Sequence, residues 1–440
     1  MDSALAKLSW LPPAPADFRE RRQAIETASG PIGAPILQLA STQLNAMQAA
    51  NLGRTIAKAL DAGRDLAPLA SFRLGILGGS TFDLILDELP AAAARHGVAL
   101  RLTTAPYDQV MQQALDPASA INTAALDAVL IGVDHRWLSL DRPSLGAPDE
   151  PVQAALGRLA SVVEALAAHG KTPAILQTVP PPPESLFGSY DRKAPGSVRA
   201  MIEAANRGIV ALCRSSGAYL LDIAALAERI GLDAWFDPAQ WAAYKLPFAP
   251  QFTPAYADLV GRLLGAIRGK ARKCLVLDLD NTCWGGVIGD DGLDGIVIGQ
   301  GSAEGEAFSA VQQAAVDLHS RGVILAVSSK NDDAVARRPF REHPEMLLKE
   351  SHMAVFQANW QDKASNLEAI AKSLNIGLDA LVLLDDNPAE RAQMRAALPM
   401  AAVPELPSDP AWYPWTLAAA GYFEAVGFSE EDRLRAASEA

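Results

Sequence analysis

The sequence predicts an α/β protein: two doubly wound parallel-sheet domains that follow a helical N-terminal segment. Three observations carry this reading. Short apolar runs alternate with helix-length amphipathic stretches, and the alternation occurs twice. A basic cluster, Arg268, Lys270, Arg272 and Lys273, separates the two series. The principal apolar runs of the second series end in carboxylates, hydroxyls or amides, which is where open α/β sheets bind ligands.

Residues 1–70 are Ala-rich with few strand formers, so they form the helical segment. Pro12, Pro13 and Pro15 interrupt it, and Asp17 is placed to cap a helix beginning near Phe18. The first α/β domain covers 71–267. Its strands are Arg73–Leu77, Val98–Thr103, Leu126–Val133, Pro173–Val179 and Ala218–Asp222. Helices fall at Phe82–Arg95, Val152–Ala168 and Ser197–Ser215. The second domain, 268–405, has strands at Cys274–Leu279, Val323–Ser328, Met353–Phe356, Ala380–Leu384 and Met400–Val403. Its helices are Ala303–Ser320, Asp332–Arg341, Lys363–Leu374 and Pro388–Leu398. A polar, helix-like tail, 406–440, closes the chain.

Composition narrows the function. The 440 residues carry 38 Lys and Arg against 51 Asp and Glu, a net charge of −13. A chain so acidic is a poor general partner for nucleic acid or anionic lipid. No apolar stretch approaches the roughly 18 residues of a membrane span, and no signal peptide is legible at Met1–Leu11. Three cysteines, Cys213, Cys274 and Cys283, are no disulfide framework. The expectation is a cytoplasmic protein without membrane or nucleic-acid partners.

The chemistry concentrates in the second domain. The strand Leu275–Leu277 runs into Asp278-Leu279-Asp280-Asn281-Thr282, so two carboxylates one residue apart and a hydroxyl crowd one strand end. The next strand ends in Ser328-Ser329-Lys330-Asn331. Lys363 opens a later helix, and a further strand ends in Asp385-Asp386-Asn387. Carboxylates at two strand ends make a hard-oxygen site for Mg²⁺. Hydroxyl and ammonium groups beside them suit phosphoryl oxygens. Ser328 is the alternative phosphate ligand to Ser329. Gly285, Gly286, Gly289 and Gly292 permit a tight flap over the site, and Trp284 and Trp360 are candidates to line it.

Asp-x-Asp-x-Thr, then Ser-Lys-Asn, then Lys363, then Asp-Asp, in that order, resembles the haloacid dehalogenase-like (HAD) superfamily. Ser329, Lys363 and Asp385 follow Asp278 by 51, 85 and 107 residues. The longer text resembles one branch, the FkbH-like family. That text comprises DLDNTCWGGVIG from Asp278, His343-Pro344-Glu345-Met346, Asn359-Trp360 and Asp385-Asp386-Asn387-Pro388. The resemblance implies a HAD Rossmann-like domain with a minimal cap. It implies that Asp278 is the nucleophile that takes the phosphoryl group. Asp280 would be the general acid and base, which disfavours dehalogenation, and Thr282 would orient Asp280. Ser329, Lys330, Asn331 and Lys363 would bind phosphate. Mg²⁺ would be held by Asp278, Asp280 (through its carbonyl) and Asp386, with Asp385 nearby.

The branch further implies a substrate and a partner. FkbH-like proteins take a glyceryl group from 1,3-bisphosphoglycerate, remove phosphate and load a phosphopantetheinylated acyl carrier protein, as in polyketide pathways. Cys283, beside the cation site, is then a candidate transient acyl carrier, if positive charge lowers its pKa. The alternatives are a phosphatase of a small metabolite or protein-borne phosphate, and a non-catalytic carrier-binding module. Arg268, Lys270, Arg272 and Lys273, together with Arg337, Arg338 and Arg341, are candidate basic patches for an acidic carrier.

In the first domain, Gly78-Gly79-Ser80 follows a strand and resembles the first block of SGNH-type hydrolases. The matching Asp-x-x-His position reads Asp237-Pro238-Ala239-Gln240, so the His is missing. The resemblance therefore implies a degenerate SGNH-like domain, with Ser80 the candidate residue or simply a helix N-cap.

Overall fold

The computed structural model describes residues 2–429, with side chains from residue 4 onward. The chain forms two compact units. One comprises Met1–Leu8, Ala16–Ile36 and Leu44–Leu264; the other comprises Ser9–Pro15, Leu37–Gln43 and Gly265–Ala440.

The first unit holds five parallel strands: β1 (Ala70–Gly78), β2 (Val98–Thr104), β3 (Ala128–Gly132), β4 (Ala174–Gln177) and β5 (Tyr219–Leu221). Their order is β2-β1-β3-β4-β5. The strand order reverses between β1 and β3, which makes that gap the topological switch point. Leu130 and Ile131 of β3 are wholly buried because helices cover both faces. The helices Asp149–His169 and Val198–Ser216 pack Leu159, Val162, Leu166, Ile202 and Ile209 into one of these cores.

The second unit holds four parallel strands: β6 (Cys274–Leu277), β7 (Ile324–Ser329), β8 (Met353–Ala358) and β9 (Leu381–Leu384). Their order, β8-β7-β6-β9, puts the switch point between β6 and β9. Period-2 alternation divides the apolar residues cleanly between the faces. Leu275, Leu277, Leu325, Val327, Val382 and Leu384 join one core. Cys274, Val276, Ile324, Ala326, Leu381 and Leu383 join the other.

Four expectations need correction. Met400–Val403 is not a fifth strand: only an isolated bridge joins Ala402 to Val382. The ladder stops because Arg395 takes the Val403 carbonyl and Pro404 has no N–H to donate. The 1–70 segment is helical but not one body. Trp10 accepts a bond from the Glu405 N–H at 2.8 Å, and Gln43 donates to Pro12 and Leu11, so the extended Pro-rich stretch packs with the second unit. The 406–440 tail is not separate either. Its helix Tyr413–Ala420 buries Tyr413 and Leu417 in the second unit's core; residues 430–440 lie outside the described part. Asp17 stands at its helix start as expected, but its carboxylate binds Arg21 at 2.8 Å instead of capping.

Candidate active site

The site is built at the carboxyl ends of β6, β7 and β9 and at the start of the helix after β8. Asp278 follows β6 directly. Asn281 then takes a left-handed conformation (φ 55°), which amides tolerate, and its side chain accepts from the Gly286 N–H at 2.9 Å. This turns the chain into the expected flap. Gly286 (φ 88°) allows the turn, and Gly285 pairs with Val297 through two backbone bonds of 2.9 and 2.8 Å.

Asp278 is buried, with Lys363 Nζ at 3.1 Å. Lys363 opens the helix Lys363–Ser373, whose N-terminus is capped by Asp362. Its ammonium, itself buried, also binds Asp385, and it reaches Glu390 at 2.8 Å. Burial pushes the Asp278 carboxyl up to about 7. The Lys363 charge opposes the shift, and the Asp385 charge adds to it. Burial also works against the Lys363 ammonium, but Asp278 and Asp385 outweigh it and hold its pKa above the usual lysine range.

Asp280 is held apart from this cluster. Its Oδ1 accepts from Trp284 Nε1 and the Ile288 N–H, each at 3.0 Å. Its Oδ2 accepts from Asn331 Nδ2 at 2.9 Å, and Asn331 also donates to Ser329 Oγ at 3.1 Å. Asn331 thus ties the candidate acid to the candidate phosphate-binding serine. Ser328, one residue earlier, projects from the opposite face of β7, and its buried hydroxyl has no protein partner; Ser329 is the serine of the site.

Thr282 does not orient Asp280. Its hydroxyl donates to Asp386 Oδ1 at 3.3 Å and accepts from the Asp386 N–H at 3.1 Å. The threonine joins the ends of β6 and β9 across the switch point and fixes a metal-binding candidate. Asp278, Asp385 and Asp386 bring carboxylate oxygens within 4.8 Å of one another. This all-oxygen donor set fits Mg²⁺. Asp280 is outside the cluster, so only its backbone remains as a ligand. Asp385 also serves Lys363, and its Oδ1 accepts from the Asn387 N–H at 2.9 Å.

Cys283 is corrected. It is wholly buried, and its thiol donates to the Asp278 carbonyl at 3.1 Å. Burial, then the charges of Asp278 and Asp280, push its pKa far above the ordinary thiol value. Burial and the two carboxylates thus work against the exposed thiolate that an acyl carrier needs. Lys330 is displaced from its expected role as well: it is solvent-accessible and paired with Glu390 at 2.8 Å. Trp284 is core, and Trp360 is 77% exposed.

Sequence reasoning missed two residues. Glu390 bridges Lys330 and Lys363. Arg391 donates to the carbonyls of Asp385 and Asp386 at 2.9 and 2.6 Å while its other edge holds Glu405. Both lie in the first turn of the helix Pro388–Ala397, capped by Asn387. The Asn-Pro-x-Glu-Arg text directly after Asp386 was the available signal.

The basic patches are largely spent internally. Arg272 is committed to the carbonyls of Asp379 and Met400, and Lys270 pairs with Asp379 at 3.7 Å. Both precede β6, at the sheet end away from Asp278. Arg337 and Arg341 pair with Glu350, and Arg338 with Glu342.

In the first unit, Ser80 is buried beside its switch point but caps no helix: the next helix starts at Asp83, after Phe82. Asp237 spends its carboxylate capping the helix Pro238–Tyr244. Aromatic rings press on the strand-end glycines here. Phe82 packs against Gly78 and Gly132, and a Cβ at Gly78 would meet its ring at 2.9 Å. A Cβ at Gly79 would meet the Trp137 ring at 2.7 Å.

The comparisons with known proteins agree with this geometry. The family model described as FkbH, N-terminal domain, matches residues 73–264. No curated protein matches the chain. The crystal structure of the N-terminal part of BF1531 from Bacteroides fragilis, which contains a phosphatase domain complexed with Mg, is 31% identical. The match covers 86% of this chain and 99% of that one, with a TM-score of 0.78. An SGNH hydrolase-type protein from Slackia heliotrinireducens is 17% identical over 44% of this chain and 99% of that one, at a TM-score of 0.31, a likeness too slight to bear on the fold. Two doubly wound units, the second carrying a phosphatase-type carboxylate and lysine cluster, identify the chain as a member of the FkbH-like family of the HAD superfamily.

Proposed function

We propose that the protein removes phosphate from a three-carbon acyl donor and delivers the glyceryl unit to the pantetheine thiol of an acyl carrier protein, with 1,3-bisphosphoglycerate as donor. One observation supports the chemistry: a buried carboxylate, Asp278, meets Lys363 at 3.1 Å, while the second carboxylate, Asp280, is held separately by three donors. Two carboxylates in such different surroundings take different roles.

The reaction balances in two stages. The carrier thiolate attacks the carbonyl carbon of the acyl phosphate, the bond from that carbon to the phosphate oxygen breaks, and inorganic phosphate leaves. The remaining phosphate ester then gives its phosphoryl group to Asp278. The P–O bond to the glyceryl oxygen breaks, and Asp280 donates the proton that oxygen needs. Asp280 next takes a proton from water, which attacks phosphorus, regenerates Asp278 and releases the second phosphate. Lys363 and the Ser329 hydroxyl hold the phosphoryl oxygens. Asp278, Asp385 and Asp386 would hold Mg²⁺, which when bound offsets the repulsion between carboxylate and phosphate. The thiol is external because Cys283 is sealed in the core.

Incubation with carbon-labelled 1,3-bisphosphoglycerate and a phosphopantetheinylated carrier tests the reading. Label on the carrier as a glyceryl thioester is the expected result. Phosphate release with an unlabelled carrier would instead establish the second reading, a phosphatase, which the likeness to a Mg-complexed phosphatase domain favours.

A further inference from the structure

Among the described residues of the second unit, Trp360 is the most exposed large apolar side chain, at 77% exposure. The cores on the two sheet faces leave it out. Its loop is nonetheless held by hydrogen bonds at both ends. The Asn359 N–H donates to the carbonyl of Ser329 at 3.1 Å. The Asn359 side chain accepts from the Gln361 N–H and donates to Asn366, each at 3.0 Å. Asp362 then caps the helix that Lys363 opens. The indole is thus carried on a short, hydrogen-bonded span that ties to the Ser329 backbone at one end and leads into Lys363 at the other, at the carboxyl end of the sheet where the site is built. Val287, on the flap after β6, is a second partly exposed apolar group at the same sheet end.

We propose that Trp360 is the platform on which the acceptor's pantetheine arm lies as it enters the site. The proposal rests on the acyl-transfer reading above and deepens it by naming the contact for the acceptor. A bisphosphorylated three-carbon donor offers charge and hydroxyl but no apolar face, so an indole has little to gain from it. Pantetheine offers a gem-dimethyl group and two amides along a flexible chain. Such a chain gains from a flat, pre-ordered ring that loses little freedom on contact. Trp360 acts by binding and positioning; it touches no reacting atom.

The test uses the full chain with Mg²⁺ and free pantetheine as the probe. Pantetheine affinity is measured by saturation-transfer NMR for the wild type, Trp360→Ala and Trp360→Phe. The proposal expects about tenfold weaker binding for Trp360→Ala and recovery of most of the affinity in Trp360→Phe. It expects the same order in the KM for the carrier, with kcat moving less. Equal pantetheine affinity in wild type and Trp360→Ala overturns it, as does a wild type that binds no pantetheine. A wild type that binds pantetheine through Trp360 yet forms no thioester would sink the transfer reaction while leaving the contact established.

Discussion

The two sheets meet the same topological opportunity in opposite ways. Each has a switch point where the strand order reverses and a ligand crevice opens at the carboxyl ends. Between β1 and β3 the glycines let the buried Phe82 and the half-buried Trp137 close in on the strand ends. Between β6 and β9 the strand ends carry Asp278, Asp385 and Asp386, whose carboxylate oxygens gather within 4.8 Å of one another beside Lys363, a donor set suited to a cation. The fold supplies a place for chemistry, and the residues at the strand ends decide whether it is used.

The largest expected effect breaks the charged side. Asp280→Asn keeps the bonds to Trp284 and Ile288 but cannot exchange a proton. Steady-state phosphate release falls by about 10²–10⁴-fold, with the Mg²⁺ requirement kept. Retained activity would remove Asp280 as acid and base. On the aromatic side, Phe82→Ala leaves a cavity against Gly78 and Gly132. Denaturant unfolding should report a loss of about 3–5 kcal/mol in the first unit. A loss below 1 kcal/mol would show that the ring is not packed against these glycines.

The comparison sharpens further at two buried carboxyls. Burial pushes Glu88 up to about 7, despite Arg95, just as it pushes Asp278. Asp278 has Lys363 in contact and a place for a cation; Glu88, in the helix Asp83–Arg95, lies outside the carboxylate cluster found among the described residues. Because the folded state binds this proton more tightly than an ordinary carboxyl of 4.5, stability is lost as pH rises from about 4.5 to about 7. Glu88→Gln removes that loss, so its stability advantage over the wild type grows across this window to about 1–3 kcal/mol at pH 8. An advantage that does not change with pH would contradict the raised value. The smallest effect is expected at Cys283→Ala, where transfer stays within about fivefold of the wild type, the worth of one hydrogen bond of ~1 kcal/mol. Loss of thioester formation with phosphate release intact would restore the thiol as a carrier.

Much of the site was legible because its residues sit at strand ends and helix starts, positions that local pattern marks. Asp278, Asp280, Ser329, Asn331, Lys363, Asp385 and Asp386 are all found that way. Their pairings were not legible. Thr282 lies two residues from Asp280 but bonds Asp386 across the sheet, a contact set by strand order. Glu390 and Arg391 look like ordinary charged residues of a first helical turn until β9 brings that turn to Lys363 and the Asp385 carbonyl. Cys283 misled for a related reason. Proximity to a cation site suggested a lowered pKa, but burial beside two carboxylates has the opposite sign. Sheet topology follows the pattern of apolar runs, while the last strand fails at Pro404, where one missing N–H ends the ladder.

The account's central claim is that phosphoryl transfer runs through Asp278 at the second switch point and that the first switch point takes no part. Turnover with 1,3-bisphosphoglycerate, a phosphopantetheinylated carrier and Mg²⁺, quenched in acid, reduced with borohydride and mapped by peptide mass spectrometry, tests it directly. The account predicts reductive modification at Asp278 alone, lost in Asp278→Asn and unchanged in Ser80→Ala. A phosphoryl adduct at Ser80, or turnover that survives Asp278→Asn, would contradict it.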